Sequence, residues 1–318
     1  MLALLYPRRD IFKMSKQSNA GLLQSLSDAV ADLAERISPS VVRVGDGRRQ
    51  GTGIVWDSEG HILTADHVVG RADVLEVALH DGRRMEAKVV GRDPDNDLAL
   101  LKVGAGGLVP LEAMNGRALR AGELVFAFAN LAGKDPSVAS GVVTSPSRGI
   151  QGWWGVMIED AVITDAQLNP GYSGGPLVDA WGRLVGMNVA CFSSRGVAVS
   201  AKTLKERAGR LVKDGRIRRG YLGIVAEPVA LPEEIASKPE VGQETALLVR
   251  SVEAGTPAKA AGLTIGDVLV KFSGSPLTDI GDLHGLLSAD VIGKSVPLTV
   301  LRGERTSDLT VTPKEAEE

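Results

Sequence analysis

Cysteine is almost absent from this 318-residue chain: Cys191 is its only one. That excludes an internal disulfide and a metal site built on several thiolates, and it suits a reducing compartment. Aromatic residues are only 4% of the total. Neither charge sign dominates, and a net charge of −3 lacks the basic footprint of a nucleic-acid partner. No stretch approaches the ~18 apolar residues of a membrane span. The apolar run Leu2–Leu5 is too short for a secretory core and is followed by Pro7, Arg8 and Arg9. The residues therefore point to a cytoplasmic chain. Met14 offers a cleaner start, which makes residues 1–13 a tail or a start-site artefact.

What is abundant is glycine, with 38 residues. Many turns joining short strands account for it. The length is a prior for about two domains. Leu22, Leu23, Leu26, Val30, Leu33 and Ile37 recur at helical spacing, so 21–37 reads as an amphipathic helix that stops before Pro39. From 40 to 200 short β-prone runs follow one another, "GTGIVWD", "HILTADHVV", "LALLKV" and "LVFAFAN" among them. That segment reads as mainly antiparallel β, a sandwich or a pair of barrels. A helix over 202–213 and the basic "DGRIRRG" separate it from a smaller α+β unit beginning at Tyr221. Helices are expected there near 257–262 and 280–289.

Chemistry centres on "NPGYSGGPLVD", Asn169 to Asp179. A serine in a glycine-lined turn suits a nucleophile whose neighbouring N–H groups converge on one point. A serine hydroxyl needs a base, and the base an orienting group. The chain has four histidines. His284 lies in the C-terminal unit, and His61 and His80 read as exposed turn positions. His67, in "ILTADHVVG", has apolar neighbours that could hold an imidazole half-buried, although alone such a histidine reads as structural. Of Asp93, Asp95 and Asp97, the last precedes the apolar run 98–101 and is the one drawn inside. Asp66 is set aside because adjacent strand side chains point to opposite faces. The order His67, Asp97, Ser173 is that of the chymotrypsin type.

Three blocks in that order, "GTGIVWDSEGHILTADHVV", "DNDLALLKV" and "TDAQLNPGYSGGPLVD", resemble the signatures of the HtrA (Deg) family of serine proteases. "RRGYLGI" and "VEAGTPAKAAGLTIGDVLVKFSG" resemble that family's PDZ domain. The resemblance covers roughly residues 25–315. It implies a mainly β fold, a chymotrypsin-like double six-stranded β-barrel domain plus a small α+β PDZ domain. The expected parts are a tail and helix (1–37), the protease domain (38–213), a linker (214–220) and the PDZ domain (221–316). It implies a triad of His67, Asp97 and Ser173, with oxyanion donors on the backbone N–H groups of Gly171 and Ser173. Leu168 and the run Gly196, Val197, Ala198 would shape an apolar pocket for small aliphatic side chains. Tyr221, Leu222, Gly223 and Ile224 would catch a peptide carboxylate, with Leu283, Leu286 and Leu287 lining the groove. No cofactor or metal is called for. The implied substrates are unfolded polypeptides, cut without ATP, and the implied assembly is a homotrimer. Family members commonly work outside the cytoplasm, so a periplasmic location is the alternative. A catalytically weak or silent PDZ-bearing chaperone is the alternative function.

Two departures from the family pattern stand out. Tyr172 occupies the usual place of Asn, and "ANLAGKDPSV" (129–138) replaces a Gly-Asn-Pro-Phe-Gly turn. Trp153 and Trp154 are either core packing or an apolar platform beside the site.

Overall fold

The computed structural model describes residues 16–45, 50–104, 106–114, 117–131, 136–151, 157–189, 196–303 and 305–316. Trp153, Trp154, Cys191, the tail 1–15 and part of 129–138 lie outside them.

Helix α1 (Lys16–Ile37) begins five residues before the expected start and ends at the expected place, where a 3-10 turn holds Pro39. Its last turns bury Leu33 and Ile37 against Val41, Phe126, Phe128 and Val178. Its earlier turns leave Leu22, Leu23 and Leu26 exposed.

Six strands follow: β1 (Val41–Val44), β2 (Gly51–Val55), β3 (His61–Thr64), β4 (Val74–Ala78), β5 (Arg84–Asp93) and β6 (Leu98–Val103). They close a barrel in the order β1-β2-β3-β6-β5-β4. The short helix α2 (Asp66–Val69) leaves the end of β3. Six more make a second barrel: β7 (Leu124–Ala129), β8 (Ser137–Gln151), β9 (Met157–Thr164), β10 (Pro176–Asp179), β11 (Leu184–Val189) and β12 (Gly196–Ser200). Its order is β10-β11-β12-β9-β8-β7, and every pairing in both barrels is antiparallel. Closure leaves neither sheet an open edge. Of the sandwich and the paired barrels, the chain adopts the barrels.

Helix α3 (Ala201–Asp214) is capped at its start by the Ser200 hydroxyl and ends on Gly215 with a positive φ of 71°. The stretch that follows is tied down by ion pairs. Arg216 and Arg218 reach Glu315 at 2.9 and 2.8 Å, and Arg219 reaches Asp95 at 2.8 Å and Asp93 at 3.3 Å.

The C-terminal unit starts with β13 (Gly220–Tyr221), β14 (Ile224–Ala230), helix α4 (Glu233–Ala236) and β15 (Thr245–Val252). It continues with helix α5 (Pro257–Ala260), β16 (Val268–Phe272), β17 (Ser275–Pro276) and helix α6 (Ile280–Leu286). It finishes with β18 (Val296–Arg302), β19 (Arg305–Val311) and β20 (Lys314–Glu315). The main sheet runs β14-β15-β16-β18-β19, so β14 is an edge strand. Leu222, Leu247, Leu269, Phe272, Leu283 and Leu298 centre its core.

Candidate active site

Asp97 is held as the sequence suggests, and by more contacts than the sequence reveals. It ends a 3-10 turn, Pro94–Asn96, and takes a left-handed φ of 50°, a conformation Asp tolerates better than most residues. Its side chain is 5% exposed. One carboxylate oxygen accepts the His67 N–H at 2.9 Å, and the other lies 2.7 Å from His67 Nδ1. Its own C=O accepts the Asp66 N–H at 3.1 Å. Asp97 therefore grips the first turn of α2 and the imidazole together.

His67 stands on that turn with its side chain 46% exposed. Burial opposes its charged form, but the hydrogen bond and charge of Asp97, helped by the charge of Asp66, outweigh it. The pKa is raised above the ordinary 6.5. Asp66 pairs instead with Arg92 at 3.0 Å. Arg92 also donates to the C=O of Gly70 and, at 2.7 Å, to that of Ala72. It braces α2 and gave no sequence signal. Burial pushes the Asp66 carboxyl up despite that partner.

Ser173 is 5% exposed and sits in a turn built for it. Tyr172 N–H donates to the Asn169 C=O at 3.1 Å, with Pro170 and Gly171 between them and Gly171 at φ 97°. Proline then glycine with positive φ is the chemistry of a type II turn. Gly174 is required for a different reason: a Cβ there would collide with the Thr52 C=O and lie 2.5 Å from the Thr64 hydroxyl and 2.9 Å from the Ala65 N. The turn is thus pressed against β2 and against the end of β3, where α2 begins. The Thr52 N–H donates to the Ser173 C=O at 2.9 Å, which seats the Ser173 backbone on the first barrel. The Tyr172 ring is buried in the second barrel among Ala127, Ala129, Val162, Leu177 and Ala198. The site therefore lies where the barrels meet.

Leu168 packs, half-buried, against that same core, which includes Ala198 of β12, whereas its strand neighbour Val197 is buried in the other cluster with Val189 and Val199. Gly196 faces Thr164 across β12 and β9. The expected exposure of His61 does not hold. It is 7% exposed, its Nδ1 is 2.6 Å from Asp57 and its Nε2 faces the Lys102 ammonium at 3.5 Å. The Asp57 side chain closes the β2–β3 turn by accepting two backbone N–H groups, which draws the histidine inside. His80 is exposed as expected.

In the C-terminal unit Tyr221 is partly exposed with its hydroxyl on Glu253, Leu222 is buried, and Gly223 has φ 80°. These residues and Ile224 line a cleft of about 240 Å³ with Arg219, Leu283, His284 and Leu287. Asp95 of the first barrel also lines it. Leu283 and Leu287 serve the core as well. Leu286 lines a separate groove between β14 and α6, with Gly149 of the second barrel on its rim.

The family model described as "Trypsin-like peptidase domain" matches residues 51–187, and that of the "PDZ domain" matches 220–312. A probable periplasmic serine endoprotease, DegP-like, of Chlamydia trachomatis serovar D is 34% identical over 269 residues, 83% of this chain and 53% of the relative. Its counterpart in Ectopseudomonas mendocina is 32% identical over 315 residues, 93% of this chain and 65% of the relative. The chain thus spans about half to two thirds of the length of these curated relatives. Among solved structures, an HtrA-type protease, AlgW with tripeptide, superposes with a TM-score of 0.79 at 30% identity, covering 91% of this chain and 97% of that one. The serine endoprotease from Yersinia pestis gives 0.73 at 28% identity, covering 90% of this chain and 98% of that one. Two barrels meeting at a buried serine, followed by a PDZ domain, match these proteins in both sequence and fold: the chain belongs to the HtrA family of trypsin-like serine proteases.

Proposed function

We propose that this chain is an ATP-independent serine endopeptidase acting on unfolded polypeptide, and that residues 38–213 perform the chemistry. The observation that carries the reading is the double grip of Asp97 on His67, on a helix turn packed against the Ser173 backbone. Asp97 holds the imidazole through Nδ1 and leaves Nε2 to take the Ser173 proton. The Ser173 oxygen attacks the scissile carbonyl carbon, and the carbonyl electron pair becomes an oxyanion. The N–H groups of Gly171 and Ser173 stabilise it, a contribution of roughly 3–4 kcal/mol per donor. His67 returns the proton to the leaving amine, and water repeats the sequence on the acyl-enzyme. Leu168, Ala198 and the backbone of Gly196 and Val197 give the pocket an apolar wall and favour small aliphatic side chains.

The edge of β14 and the backbone of Tyr221–Ile224 suit strand addition by a peptide ending in a free carboxylate. Residues 221–316 would perform that task. The solved relatives named with a decapeptide and a tripeptide support it. The curated relatives named periplasmic support an extracytoplasmic location over the cytoplasm expected from the residues. The exposed leucines of α1 support self-association as a homotrimer. Light scattering should give three chains, and a monomer at micromolar concentration would refute that assembly.

The test of function is degradation of casein by the purified chain beside Ser173→Ala. Casein that survives the wild type as it survives the variant would leave a PDZ-bearing chaperone as the better account.

A further inference from the structure

Thr52 lies within β2, is fully buried, and touches the nucleophile turn twice. Its N–H donates to the Ser173 C=O at 2.9 Å, and its hydroxyl donates to the Gly171 C=O at 2.7 Å. These two carbonyls flank Tyr172. The same hydroxyl accepts the N–H of Asn130, at the end of β7, at 3.0 Å. The Thr52 C=O in turn accepts the Thr64 hydroxyl at 2.7 Å, one residue before Ala65, which precedes the first residue of the His67 helix. One residue, through its backbone and its side chain, therefore joins the His67 side of the site, the Ser173 turn and the second barrel.

We propose that Thr52 is a positioning residue for the oxyanion hole, a reading that rests on the peptidase function above. The physical argument runs through the peptide planes. Fixing the Gly171 C=O fixes the Gly171–Tyr172 peptide, and fixing the Ser173 C=O fixes the Ser173–Gly174 peptide. Between them the Tyr172–Ser173 peptide, which carries the Ser173 N–H and whose C=O accepts the Gly175 N–H at 3.0 Å, has little freedom left to rotate. Any turn that withdrew the Gly171 C=O would leave the buried Thr52 hydroxyl with no acceptor for its proton, a costly arrangement in an interior. The clamp thus selects the orientation in which the Ser173 N–H faces the developing charge, and it anchors the Gly171 Cα from which the other donor peptide departs. Thr52 touches neither substrate nor reacting atoms and acts only through the turn.

The test compares the full chain with Thr52→Val, which keeps the shape and loses the hydroxyl, and Thr52→Ser, which keeps the hydroxyl and loses the methyl. Active sites are counted with a fluorophosphonate, and kcat and KM are measured per titrated site on a short chromogenic peptide. Binding of a peptide boronic acid, whose tetrahedral adduct places an oxygen in the hole, is measured alongside. Thr52→Val should lose roughly 10²-fold in kcat, the scale of an active-site misplacement of about 1 Å, with KM little changed. Boronate affinity should fall in parallel, and Thr52→Ser should recover most of both. If Thr52→Val yields no soluble protein, Thr52→Ala removes the same hydroxyl and carries the same expectations. Unchanged kcat per titrated site in the hydroxyl-lacking variant would overturn the clamp, even if fewer sites titrate. So would Thr52→Ser as slow as Thr52→Val. A wild-type chain inert to the fluorophosphonate would overturn the peptidase reading and the clamp together.

Discussion

Asp97 binds His67 twice, through the backbone N–H at 2.9 Å and through Nδ1 at 2.7 Å. The first bond fixes where the histidine starts and the second fixes which ring nitrogen faces the serine. Asp97→Asn keeps an oxygen for the backbone N–H but offers the imidazole an ambiguous partner. The wrong tautomer is then free to populate, and kcat should fall by roughly 10⁴-fold, the scale of this change in a Ser-His-Asp triad. Thermal unfolding should show the fold retained. Steady-state kinetics on a short peptide would check it, and turnover within tenfold of wild type would refute the role given to Asp97.

The raised pKa of His67 sets a direction in pH. The base must be neutral to accept the serine proton, so activity appears as pH rises through the His67 pKa. That limb should lie above the 6.5 of an unperturbed histidine. The Asp66 charge helps to raise it, so Asp66→Asn should move the limb of kcat/KM toward lower pH while leaving the alkaline plateau near wild type. The paired Arg92 would then lose its carboxylate, and a rise in the limb instead would show the assignment of charges around His67 to be wrong.

Arg219 joins the two domains next to both sites. It precedes Tyr221–Ile224, the loop proposed to bind a peptide carboxylate, and its guanidinium holds Asp93 and Asp95, the segment that leads into Asp97. A hydrophobic peptide with a free C-terminus should raise peptidase activity by some 5–150-fold, the usual range of coupling between sites. Arg219→Ala should shrink that factor while peptide binding to the PDZ domain persists. Cleavage of a Val-containing reporter, with the acid peptide and its amide, measures it. Equal responses to acid and amide would show that the carboxylate loop is not the sensor.

Much of this arrangement was legible in the sequence. The barrels' strands announce themselves by short apolar runs between glycines, and the triad order singles out His67, Asp97 and Ser173 among few candidates. The contacts that hold them were not legible. Thr52 reads as an ordinary strand residue, and only the meeting of the two barrels brings it to Gly171, 119 positions along the chain. Arg92 and Arg219 read as surface cations until the fold supplies carbonyls and carboxylates at their tips. His61 was misread because a turn sequence such as "DSEGH" looks solvated, whereas the Asp57 side chain folds the turn inward. Tyr172 looked like a bulky intrusion into the nucleophile turn. The second barrel makes room for its ring with Ala127, Ala129 and Ala198, small residues far apart in the sequence.

The central claim is that Ser173 is a nucleophile activated by His67. Its most direct measurement is covalent labelling of the folded full-length chain by a fluorophosphonate, followed by mass spectrometry of the labelled peptide. The adduct should fall on Ser173 alone, vanish in Ser173→Ala, and form far more slowly in His67→Ala. Labelling of the His67→Ala protein at the wild-type rate, or an adduct on another serine, would contradict the account.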